Sequence, residues 1–67
     1  MKTKLIGSAP SLERMKLLVE NFFYSAVTFV EVAPETFEVH NSKGKIEGCV
    51  VKIKKGRVRF EMNQGGQ

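Results

Sequence analysis

Between Leu12 and Phe23 the apolar residues Leu12, Met15, Leu18, Val19, Phe22 and Phe23 recur mostly in steps of three and four, the period of one helix face. The pattern predicts a helix within residues 8–25. Pro10 suits its first turn, and Ser8 or Ser11 can cap the first unpaired amides. Glu13 precedes Lys16 by three and Lys16 precedes Glu20 by four, spacings that allow weak ion pairs on a solvated face.

After Tyr24 the chain turns to Val, Thr and Phe in short segments. Turn signals at Ala33-Pro34-Glu35, Asn41-Ser42-Lys43-Gly44 and Lys55-Gly56 separate them, predicting strands over about 26–32, 36–40, 45–54 and 57–62. The fold class expected is α+β: one N-terminal helix packed on a four-stranded antiparallel β-meander, in a single small domain over residues 1–67. Residues 1–7 offer an edge strand, through Leu5 or Ile6, or a tail; residues 63–67 read as a polar tail.

Paired strands must bury residues on the same face, so registers can be derived. With Lys55-Gly56 as a two-residue turn, Ile53 faces Val58, Val51 faces Phe60 and Cys49 faces Met62 on an apolar side. Lys52 then opposes Arg59, and Lys54 opposes Arg57, on the other side. In the preceding hairpin a loop over 41–44 pairs Val39 with Ile46 and Glu38 with Glu47, which puts Ile46 and Cys49 out of phase. A one-residue bulge at Glu47-Gly48 restores the phase and brings Phe37 opposite Cys49. A Pro34-Glu35 turn sets Val32 against Phe37 and Val30 against Val39, with Glu31 and Glu38 together on the opposite face. The expected core is the helix stripe against Val30, Val32, Val39, Ile46, Val51, Ile53, Val58 and Phe60.

The lone cysteine, Cys49, cannot form an internal disulfide, and no Cys/His cluster supplies zinc ligands. A core of this size leaves only about 3–5 kcal/mol of net stability, so self-association is an expected means of support. The sequence shows neither the apolar stretch of a secretory signal nor that of a membrane span, and a cytoplasmic location is expected, with no membrane partner.

No catalytic site is expected. The chain has no Asp and a single histidine, His40, so a Ser-His-Asp triad cannot form. Cys49 and His40 fall on opposite predicted faces, which makes Cys49 a buried, inert thiol. Glu31, Glu38 and Glu47 align on the predicted outer face, where solvated glutamates are the simplest reading; no metal or cofactor is expected.

Charge carries the functional reading. Residues 43–59 hold Lys43, Lys45, Lys52, Lys54, Lys55, Arg57 and Arg59 against Glu47 alone, a net of +6, whereas residues 17–42 hold four glutamates and no Lys or Arg. The last hairpin moreover sets like charges opposite each other, which is destabilising unless an anion intervenes. The expectation is a non-catalytic domain whose seven cations contact a polyanion, most concretely nucleic acid, with Phe29 or Tyr24 available to stack on bases. The alternative is an adaptor or inhibitor on an acidic protein surface, using sheet-edge pairing or a homodimer. The same charges also fit a charged edge hairpin that resists aggregation.

Overall fold

Ser11 starts the helix. Its backbone is extended, its Oγ accepts from the Arg14 amide at 3.2 Å, and its carbonyl accepts from the Met15 amide. Helix α1, Leu12–Phe23, ends where Tyr24 enters the left-handed region at φ 57° and the amides of Tyr24 and Ser25 both return to the Glu20 carbonyl. The Glu20 carboxylate accepts from the Val27 amide at 3.2 Å, tying the outgoing chain to the helix. Of the two serines read as caps, Ser11 has the role; Ser8 lies in a strand and Pro10 precedes the cap.

The computed structural model describes residues 3–63. The expected polar tail over residues 63–67 therefore lies outside the described residues beyond Asn63, which ends the last strand. The class is α+β, with one helix on an antiparallel sheet, but the sheet has five strands rather than four. They are β1 (Thr3–Ala9), β2 (Thr28–Ala33), β3 (Thr36–Asn41), β4 (Gly44–Lys54) and β5 (Arg57–Asn63). Strands β2 to β5 form the expected meander, and β1 adds beside β5, giving the order β1-β5-β4-β3-β2. The edges are thus β1 and β2, and the last hairpin lies inside the sheet. This rules out reading it as a charged edge.

On the helix side, Met15 and Val19 pack with Ala9, Val27, Val39, Cys49, Val51, Val58 and Phe60. Phe22 and Phe23 meet Phe60 edge to face at ring separations of 5.5 and 6.1 Å, while Phe29 and Phe37 lie 6.5 Å apart. The helix comes close to β1 at Gly7, where a β-carbon would sit 3.1 Å from Leu18 Cδ1.

The β4–β5 register is as expected, from Cys49 opposite Met62 to Lys54 opposite Arg57. Lys55 and Gly56 both have positive φ, 53° and 77°, which a two-residue hairpin turn matched to the strand twist requires. The other registers depart from expectation. Between β3 and β4, His40 does face Lys45, but Phe37 faces Val51 rather than Cys49. The bulge is larger than one residue: β3 takes two steps from Glu38 to His40 while β4 takes five from Val50 to Lys45. Gly48, at φ 80°, gives this bulge its left-handed residue.

In the first hairpin Ala33 pairs with Thr36 as the Pro34-Glu35 turn demands, and Val32 is then left over as a bulge. Every earlier residue changes face: Phe29 meets Val39 and Glu31 meets Phe37 on the helix side, while Val30 meets Glu38 on the outer side. Val30 and Val32, expected in the core, are 40% and 54% exposed, and Val27 and Phe29 replace them. A third bulge, at Ile6 in β1, means that both edge strands are irregular, which discourages pairing with another sheet.

Candidate functional site

The sheet face away from the helix is organised in rows across the strands. One row runs Leu5, Glu61, Val50, Glu38, Val30 through all five strands. The next runs Ser8, Arg59, Lys52, Thr36, a line of hydrogen-bond donors. Beyond it Arg57 and Lys54 complete a two-by-two grid of cations, with Lys55 in the adjoining turn. This outer face is therefore basic at the end of the β4–β5 turn, while its middle row is apolar and acidic.

The arginines are held by their neighbours. Arg57 donates from Nη2 to Ser8 Oγ at 3.1 Å, and Arg59 donates from Nε to Glu61 Oε2 at 3.0 Å. Thr3 Oγ1 donates to the other oxygen of Glu61 at 2.8 Å. Glu61 is only 8% exposed, and its carboxyl is held below its ordinary range, first by the Thr3 hydroxyl and then by Arg59, against the opposing effect of burial. Among the described residues the ion pairs are Glu38 with His40 and Lys45, and Glu61 with Arg59. Lys52, Lys54, Lys55 and Arg57 therefore have no carboxylate in contact among the described residues. Leu5, Ser8, Lys54, Lys55, Arg57 and Arg59 surround an open depression of about 380 Å³. Glu35, at the β2–β3 turn, borders the patch on the side of Lys52 and Lys54.

The seven cations read from the sequence divide into two groups. Lys52, Lys54, Lys55, Arg57 and Arg59 come together, while Lys43 and Lys45 lie at the other end of β4, where Lys45 contacts Glu38 at 3.2 Å. His40 also reaches Glu38, at 3.1 Å, and the side-chain hydrogen bonds of His40, first, and of Lys45 hold that carboxyl below its ordinary range. The expected outer row of Glu31, Glu38 and Glu47 does not form, because the Val32 bulge turns Glu31 to the helix side. No group of three metal-binding side chains occurs among the described residues. Cys49 is buried on the helix side, away from His40, and burial pushes its thiol pKa up, opposite to what a nucleophile requires.

Neither proposed stacking aromatic belongs to the basic patch: Phe29 packs on the helix side and Tyr24 caps the helix. Sequence reasoning missed Ser8 and Glu61, which hold the arginines, and Thr3, which holds Glu61. Their signal is weak, since Ser8 reads equally well as a helix cap and Glu61 as a polar residue near a strand end. No helix among the described residues is long and apolar enough to cross a membrane. Comparison of the chain with protein-family models, with curated proteins and with solved structures finds no match.

Proposed function

We propose that this chain is a small non-catalytic binding domain whose helix-free sheet face holds a polyanion, most concretely the phosphate backbone of a nucleic acid. The observation that carries the reading is the cation grid: Lys52 opposite Arg59 and Lys54 opposite Arg57, in the interior of the sheet. Like charges directly opposed cost stability, and an interior hairpin has no exposed edge for them to protect. A bound anion converts the repulsion into paired, charge-assisted hydrogen bonds. The contact centres on Lys54, Lys55 and Arg57, which have no carboxylate partner among the described residues, with Ser8 beside them.

The test is the double variant Lys54→Ala, Arg57→Ala, with nucleic-acid affinity measured over a range of salt. The reading requires weaker binding to all sequences alike, and a log-log salt slope shallower by up to about one unit per lost phosphate contact. Folding should be retained or improved. Unchanged binding and slope would reject the site. Binding confined to an acidic protein, with none to nucleic acid even at low salt, would reject the nucleic-acid reading in favour of a protein partner.

A further inference from the structure

We infer that the partner of the basic face is double-stranded nucleic acid, gripped through its phosphates with no base stacked on the protein; the inference rests on the polyanion reading above. It starts from where the aromatic rings are. The chain has five phenylalanines and one tyrosine. Phe22, Phe23 and Tyr24 belong to the helix layer, and Phe29, Phe37 and Phe60 face it from the sheet. The outer face is thus left without any of these rings: its basic end carries hydroxyls, ammonium and guanidinium groups, beside the aliphatic side chains and the Glu61 and Glu38 carboxylates of the middle row.

Single-strand binders combine a charged groove with aromatic platforms on which successive bases stack. A face without rings lacks that contribution and depends on charge. There the duplex has the advantage, with one negative charge per about 1.7 Å of axis against about 3.4 Å for a single strand. The spacing of the cations suits a phosphate backbone. Residues two apart in a strand lie about 6.6 Å apart and neighbouring strands about 4.8 Å, so the pairs Lys52–Arg59 and Lys54–Arg57 form two cationic rungs. Their separation is comparable to that of consecutive phosphates along one strand.

The grid is also preorganised. Ser8 and Glu61 fix Arg57 and Arg59 before any ligand arrives, leaving the remaining guanidinium N–H groups to fork onto phosphate oxygens. Ser8 ends the Arg59–Lys52 row with a hydroxyl whose proton is available for a backbone contact, while the Thr36 hydroxyl at the other end donates to the Pro34 carbonyl at 3.2 Å. None of these groups demands a particular base, so the contact is sequence-independent.

The experiment is fluorescence anisotropy with the intact chain and four probes at equal nucleotide concentration: a short mixed-sequence DNA duplex, an RNA duplex, and a separated strand of each. The duplexes should bind at least about tenfold more tightly than their strands, with little change on scrambling the sequence. If Lys52, Lys54, Lys55, Arg57 and Arg59 each meet a phosphate, the log-log salt slope on duplex DNA is about −4.5. The two duplex arms distinguish DNA from RNA as the source of the phosphates, and preference for either supports the inference. Equal or tighter binding to single strands overturns it while leaving the polyanion reading intact. Absence of binding to all four probes at low salt overturns both.

Discussion

Replacing Phe60 by alanine tests the packing that sets the whole outer face. The ring is fully buried and meets both Phe22 and Phe23 edge to face. Phe→Ala changes in cores cost about 3–5 kcal/mol. Complete burial together with two aromatic contacts, each worth about 0.5–1.5 kcal/mol beyond area, puts this site in the upper part of that range. A domain of this size has only about 3–5 kcal/mol to lose. At least half of Phe60→Ala molecules should therefore be unfolded without denaturant. Urea titration followed by far-UV circular dichroism reads this directly: with a slope near 1 kcal/mol/M, the midpoint falls by about 3 M or more and the folded baseline disappears. Phe60→Leu, which keeps apolar bulk, should retain a cooperative transition at an intermediate midpoint. A Phe60→Ala midpoint within about 1 M of the parent would refute the packing, and with it the argument that Arg59 and Glu61 are directed to the opposite face by their place on either side of this ring.

The depressed Glu61 pKa means that its contribution to stability is present at neutral pH and lost as pH falls through and below the ordinary carboxylate range, below about pH 4. Glu61→Gln should be less stable at neutral pH and show a flatter acid limb in melting temperature against pH; parallel limbs would remove Glu61 from the account. Native Cys49 should react with a thiol reagent only slowly, and Cys49→Val should change stability by less than about 1.5 kcal/mol. Rapid labelling of the folded protein would contradict its burial. The β2 register predicts that Val30→Thr and Val32→Thr each change stability by no more than about 0.5 kcal/mol, while Phe29→Ala costs several times as much. The reverse ranking, from chemical denaturation, would restore the opposite phase for this strand.

The last hairpin was legible because its alternation is unbroken over Cys49–Ile53 and Val58–Met62 and Gly56 marks the turn. The helix was legible from its stripe, and Gly48 announced a bulge. The size of that bulge was not visible, because a glycine shows where a strand can turn aside and not how many residues leave the ladder. In β2, the segment from Ala26 to Val32 is apolar on both parities, and Val32 carries no conformational signature of a bulge, so its phase had to come from the sheet. Strand β1 was weaker still: it contains Gly7 and a bulge, and its partner lies across the helix and the whole meander. Five of the candidate cations were readable as one cluster from the hairpin alone. The hydroxyls of Thr3 and Ser8 that complete it were not, since they arrive with β1.

The strand order also bears on synthesis. Strand β5 is the last of the described strands to be made, yet it lies between β1 and β4, and the contact of Thr3 with Glu61 spans 58 positions of chain. Contacts between such distant residues form slowly, because a long loop must close before they repay its entropy. While the chain is still emerging from the ribosome, β1 waits without its neighbour and the apolar stripe of α1 lacks Phe60. The cations are then strung along a mobile chain, without Ser8 or Glu61 to aim the arginines. The grid itself forms with the β4–β5 hairpin, but the contacts of Ser8 with Arg57 and of Thr3 with Glu61 arrive only when the first strand pairs with the last, so a growing chain carries the charges of this site before it possesses the finished site.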